Sequence, residues 1–155
     1  MLRIAKLTDY ATALMVRLAR EPARCFSAAQ LADELGMPQP TVAKLLKRLL
    51  RARLLASARG AAGGYTLAHA PDEISVADVV QAIEGPVALT ECTLGQGNCS
   101  LERDCATRAN WQLISRAVRV ALEAVSFVCS LGETATGGEA PTALAYSRTL
   151  TVATR

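Results

Sequence analysis

Histidine is nearly missing from this chain: His69 is the only one in 155 residues, alongside one tryptophan, two phenylalanines and three tyrosines. With no histidine near any cysteine, an enzyme built on a nucleophilic thiol and an imidazole base is the weakest reading. A structural zinc site also lacks its usual parts, because paired CxxC knuckles are absent and His69 is expected at the surface. Long apolar runs are missing as well. The longest, Leu113 to Leu131, is broken by Arg116, Arg119 and Glu123, which argues against a membrane span. The first twenty residues contain no uninterrupted apolar stretch and no small-residue cleavage site, so they do not read as a secretory signal. A cytoplasmic location follows as the expectation. Thiols stay reduced there, and five cysteines, an odd number, then point to metal or redox chemistry before structural bridges.

What the chain does have is charge sorted along its length. Residues 1–70 hold eleven basic and four acidic side chains, a balance of +7, and residues 71–155 hold six and ten, a balance of −4. The basic front half is suited to a polyanion, and the back half to some other task.

Within the front half, Leu7, Ala11, Leu14, Met15 and Leu18 recur at helical spacing, with Thr8 and Asp9 placed to cap the start, predicting a first helix near residues 8–20. Ser27 followed by Gln30 is a capping-box pattern, and Gly36 supplies a left-handed stop for a short second helix. Pro40 fits a first helical turn, and Val42, Leu45, Leu46 and Leu49 form the apolar stripe of a third. Opposite that stripe lie Thr41, Lys44, Arg48 and Arg51, with Lys47 beside them. A helix, a tight turn and a basic-faced helix read as a helix-turn-helix, although a solvated face on an ordinary helix has the same pattern. The segments LLASARG and GYTLA, joined by a glycine-rich turn, predict a hairpin wing with Arg59 near its tip, where a guanidinium can enter a minor groove.

Farther on, Ser75 and Asp78 cap a helix over Val76, Val79, Val80 and Ile83 that stops at Gly85 and Pro86. Trp111, Ile114, Val118, Ala121, Leu122, Val125 and Cys129 then mark one stripe of a helix over about 106–131, about 39 Å long at 1.5 Å per residue. A small domain cannot cover such a stripe alone, so a two-fold homodimer is expected. The expected organisation is a winged helix-turn-helix DNA-binding domain (1–85), a cysteine loop (86–105), a dimerisation helix (106–131) and a disordered tail (132–155), giving a mainly α fold with a small β-hairpin wing.

The loop CTLGQGNCSLERDC places Cys92, Cys99 and Cys105 within fourteen residues. Three soft thiolate ligands in a flexible loop suit an iron-sulfur cluster, which accepts loose spacing and a non-cysteine ligand on one iron. Cys129, on the apolar stripe of the long helix, reads as a small core residue, and Cys25 precedes the second helix with no thiol partner close in sequence.

Several segments together resemble a known family: LTDYA, LADELGMPQPTVAKLLKRLLRARLL, RGAAGGYTLA, ISVADVVQAIEGP, and the three-cysteine loop followed by a long helix. They are similar to the bacterial winged-helix iron-sulfur regulators that include IscR and NsrR, particularly regulators of SUF cluster assembly, over residues 2–131. The resemblance implies a homodimeric repressor or activator whose affinity for an operator depends on a 2Fe-2S or 4Fe-4S cluster. It matches Cys92, Cys99 and Cys105 to the cluster cysteines, with a first gap one residue longer than in many members. The histidine of IscR-type members is replaced by Arg108, a cation that cannot ligate iron. Asp9 matches the aspartate that NsrR-like members supply from the partner subunit, which makes a nitric-oxide sensor the nearest rival; as a plain carboxylate it would also stabilise a helix N-terminus. Glu91, Glu102 and Asp104 are local alternatives, and a loop-ordering zinc is a further one. The resemblance also implies base contacts from Gln39, Thr41, Ala43 and Lys44 and a minor-groove contact from Arg59. Lys47, Arg48 and Arg51, farther along the helix, are then expected on phosphates.

Overall fold

The computed structural model describes residues 4–60, 63–94 and 105–127. Helices α1 (Lys6–Arg20), α2 (Ala28–Leu35) and α3 (Gln39–Arg51) lead into strands β1 (Leu55–Ala58) and β2 (Gly64–Leu67). Helices α4 (Val76–Glu84), α5 (Glu91–Leu94) and α6 (Arg108–Glu123) follow. The architecture is mainly helical with a two-stranded antiparallel wing, registered Leu55 to Leu67 and Ala58 to Gly64.

Local signals set most of these elements. Ser27 Oγ accepts from the Gln30 N–H at 3.2 Å while Gln30 Oε1 accepts from the Ser27 N–H at 2.9 Å, closing the capping box that starts α2. Gly36 ends the helix at φ 61°, in the left-handed region. Ser75 and Asp78 build the same reciprocal box at the start of α4. The hairpin is tied to the helical core by Phe26, whose backbone pairs with Tyr65 in both directions at 3.0 and 2.8 Å. Gly64 is needed beside this bridge, since a Cβ there would stand 2.5 Å from the Phe26 carbonyl oxygen.

The core gathers Leu14, Met15 and Leu18 of α1, Leu31 of α2, all four stripe residues of α3, and Val79 of α4 around Phe26 and Phe127. It leaves α3 with one buried and one solvent-facing side.

Three elements differ from their sequence-based expectation, the first being the single helical turn α5 inside the expected cysteine loop. Helix α1 begins at Lys6, and its N-cap, Ala5, has no side-chain cap of its own. Thr8 is buried and bonds sideways: its hydroxyl and the Ala5 N–H both donate to Glu84 Oε1, at the end of α4. The long final helix stops at Glu123. There the chain turns back onto the start of α4, with the Val76 N–H donating to the Val125 carbonyl at 2.9 Å and the Phe127 N–H to the Ile74 carbonyl at 3.3 Å. This return buries Phe127 to 1% exposure. Burying a phenylalanine contributes about 2 to 3 kcal/mol, more than the propensity gained by a few further helical residues. The residues after Phe127, including Cys129 and the expected tail, lie outside the described residues, as does most of the cysteine loop. None of the helices among the described residues is long and apolar enough to cross a membrane.

Candidate nucleic-acid interface and cysteine site

Helix α3 divides its residues by face. Val42, Leu45, Leu46 and Leu49 are buried, while Gln39, Ala43, Lys44, Lys47 and Arg51 are exposed and Thr41 and Arg48 are half-buried. The outer face is therefore polar at its beginning and cationic from Lys44 onward. From Gln39 to Arg51 it extends about 18 Å along the axis at 1.5 Å per residue. Thr41 and Val42 donate their N–H groups to the Pro38 carbonyl at 2.9 and 3.2 Å, which fixes the first turn where Gln39 stands.

Arg48 is tied to its neighbour. Its Nη1 donates to the Ile83 carbonyl at 2.6 Å, joining α3 to the last turn of α4. A guanidinium has five donors, so this bond leaves others for a phosphate. Arg53, just past α3, is an exposed cation not anticipated from periodicity; it takes φ 60° in the turn to β1. Arg59 is exposed at the end of β1, and the wing tip beyond it is drawn tight by the Gly63 N–H on the Gly60 carbonyl at 2.9 Å.

Not all of the front half's cations are free for a polyanion. Arg17 pairs with Glu21 at 2.7 Å and Glu34 at 2.5 Å, and Arg24 pairs with Glu21 at 3.1 Å. Both guanidinium groups also stack on the Phe26 ring, at 4.6 and 4.5 Å from its centroid. The two arginines hold Glu21 below the usual carboxylate range. Lys6 and Arg20 of α1 also face solvent, but the cations gathered on one face are Lys44, Lys47 and Arg51 of α3, with half-buried Arg48 among them and the exposed Arg53 and Arg59 following in the chain.

Cys92 is buried on the single turn of α5, with its Sγ 3.2 Å from the Thr90 hydroxyl. Cys105 is half-buried just before α6, with its Sγ 3.4 Å from the Thr107 hydroxyl. The Thr107 hydroxyl, then the Thr107 N–H, and then the Arg108 N–H and charge all favour the thiolate, holding the Cys105 thiol below its ordinary value. Cys99, Glu102 and Asp104 lie outside the described residues. Asp9 is exposed on the first turn of α1, and Glu91 is exposed on α5. Among the described residues no three His, Cys, Asp or Glu side chains come together, so Cys92, Cys105 and Asp9 do not form a set within one protomer. The donor chemistry nevertheless suits a thiolate-bound metal centre, since each described cysteine of the loop has a hydroxyl against its sulfur and one is biased towards the anion.

Behind Cys92 lies a network of hydroxyls from residues that no local motif marks. Ser115 of α6 accepts the Leu89 N–H at 3.3 Å and donates to Thr93 Oγ1 at 3.4 Å. Thr93 in turn donates to the Thr90 carbonyl at 2.7 Å.

Comparison with known proteins places this geometry in a family. The chain is 33% identical over 98 residues to the HTH-type transcriptional regulator IscR of Aliivibrio salmonicida, a match covering 63% of this chain and 58% of the relative. It thus spans less than two thirds of that relative's length. Identity is 31% over 125 residues to the HTH-type transcriptional repressor NsrR of Streptomyces coelicolor, covering 79% of each. In three dimensions it is similar to CymR, the global cysteine regulator of B. subtilis, with a TM-score of 0.68 and 27% identity, covering 86% of this chain and 98% of that one. A model of the Rrf2 family, described as iron-dependent transcriptional regulators, matches residues 4–128. The chain therefore belongs to the Rrf2 family, a class of transcriptional regulators and not of enzymes.

Proposed function

We propose that this protein is a cytoplasmic, homodimeric, DNA-binding regulator of transcription whose operator affinity depends on an iron-sulfur cluster. The observation that supports DNA binding is the solvent-facing side of α3, where Gln39, Thr41, Ala43 and Lys44 precede a row of cations whose opposite side is fully buried. In this reading those four residues meet base edges, Lys47, Arg48 and Arg51 meet phosphates, and Arg59 reaches a minor groove. The apolar residues that α6 leaves outward, Trp111, Leu113, Ile114 and Val120 at 40 to 60% exposure, support a second subunit as their cover.

Cys92, Cys99 and Cys105 would hold the cluster, with Asp9 of the partner subunit as the fourth ligand. A bound cluster supplies redox and gas-sensitive iron. The residues themselves present sulfur, biased towards the thiolate at Cys105 by Thr107, and offer one oxygen ligand that holds iron less firmly than a thiolate would. Control of SUF assembly genes is the favoured target, on the resemblance of the whole 2–131 segment. An aspartate ligand favours nitric-oxide sensing as the second reading.

The test is anaerobic purification with visible absorption and iron and sulfide counts, followed by footprinting on promoter DNA before and after oxidation or nitric oxide. Coloured protein with acid-labile sulfide and a footprint that changes on treatment is expected. Colourless protein with one zinc per chain would leave a regulator with a structural metal.

A further inference from the structure

Helix α6 presents an inversion that calls for a cause. Within one subunit its apolar residues Trp111, Leu113, Ile114 and Val120 are exposed and Val118 and Leu122 only half-buried, while the one residue it fully buries is a serine, Ser115, at 6% exposure. A buried hydroxyl costs free energy unless it is bonded, so a serine kept there needs partners.

Its partners form a closed set. Ser115 Oγ accepts the Leu89 N–H at 3.3 Å and gives its own proton to Thr93 Oγ1 at 3.4 Å. Thr93 Oγ1 also accepts the Thr90 N–H at 3.3 Å, and gives its proton to the Thr90 carbonyl at 2.7 Å. Each hydroxyl thus donates once, and no two protons compete for one position. The Thr90 hydroxyl is left for Cys92 Sγ, 3.2 Å away. Cys105 and Thr107 stand immediately before α6, so the same helix is the reference for both sulfurs: directly for Cys105, and through Ser115 for Cys92, about 10 Å farther along the axis.

We propose that Ser115 is a positioning residue that pins the α5 turn to α6 through Thr93 and Thr90, and so fixes the sulfur of Cys92 as a metal ligand. The pinning stands on the bonds above; its consequence for a metal rests on the iron-sulfur reading. Thr93 and Thr90 belong to the same device, and none of the three touches the metal.

Two variants test it, Ser115→Ala and Thr93→Val, each removing one hydroxyl while nearly keeping its volume. In the metal-free protein, iodoacetamide labelling of Cys92, read by peptide mass with Cys25 and Cys105 as internal standards, is expected to run about tenfold faster in both variants, since a lost bond leaves a neighbour unsatisfied and eases local opening. Equal acceleration at Cys25 would mean general unfolding and would overturn the local pin. In anaerobically reconstituted protein, decay of visible absorbance under a chelator is expected to quicken at least about tenfold, as for other supports behind a ligand. Unchanged Cys92 labelling in both variants overturns the proposal. Faster labelling with unchanged decay overturns the ligand-positioning part. Faster labelling in a protein that never takes up iron and sulfide upholds the pin and removes the cluster reading instead.

Discussion

Replacing Arg48 by alanine separates two duties that the outer face of α3 combines. The Ile83 carbonyl belongs to the last turn of α4, where carbonyls have no partner within the helix, and Arg48 supplies a charged donor at 2.6 Å. A charge-assisted bond of this kind contributes about 1.5 to 3 kcal/mol, and a cation at a helix C-terminus adds up to about 1 kcal/mol. Arg48→Ala should therefore lower unfolding stability by about 2 kcal/mol, a fall in Tm of about 4 to 8 °C for a chain of this size. Lys47, one position away and exposed, should cost no more than about 0.5 kcal/mol when cut to alanine. Both variants should lower the slope of log affinity against log salt by about one if, as proposed, each removes one phosphate contact. Urea titrations at one fixed protein concentration, with DNA binding across a salt series, give both quantities. Should Arg48→Ala unfold at the same urea concentration as Lys47→Ala, the link from α3 to α4 would have no energetic weight and the reasoning would fail.

Phe127→Ala should cost about 3 to 5 kcal/mol in the same titration, since the ring is buried where the chain turns back on α4. A cost below about 1 kcal/mol would fit a continued helix better than the observed return. The rate of Cys105 alkylation against pH should show a midpoint below the ordinary thiol value of 9.0, because the Thr107 hydroxyl stabilises the thiolate. Thr107→Val should move that midpoint upward, and an unmoved midpoint would remove Thr107 as the cause. Gln39→Ala should relax sequence preference at one base pair of the operator while leaving the salt slope intact; a uniform loss on all DNA would place Gln39 on the backbone instead.

How far the sequence can be read depends on how local each signal is. Ser27 with Gln30 and Ser75 with Asp78 announce their helices because both halves of each capping box lie three residues apart. The wing is legible for a similar reason, its strands being separated by a short glycine-rich turn. Val125 and Cys129 continue the spacing of α6, so periodicity extends that helix to Leu131; it has no means of registering that Phe127 gains more by folding back against Ile74. Thr8 reads as part of a local cap, but its partner Glu84 is 76 residues away. The hydroxyl set around Ser115 escapes notice likewise, because a serine in an apolar stripe resembles an interruption until Leu89 and Thr93 are seen against it.

Three of the long-range bonds share an address, and it bears on how the two halves of the proposed function meet. Ile83 receives Arg48 from α3, and the next residue, Glu84, receives the Ala5 N–H and the Thr8 hydroxyl from the first turn of α1. That turn also carries Asp9. The end of α4 thus holds the start of α1 and the basic face of α3 in one rigid frame, with the buried residues of all three helices packed in a single core. A force applied to Asp9 has little slack to absorb it before reaching α3, because close-packed interiors shift as units and do not deform smoothly. If Asp9 of each subunit is drawn towards its partner's sulfurs, the two reading helices must move as bodies, and only certain spacings of paired helices fit successive major grooves.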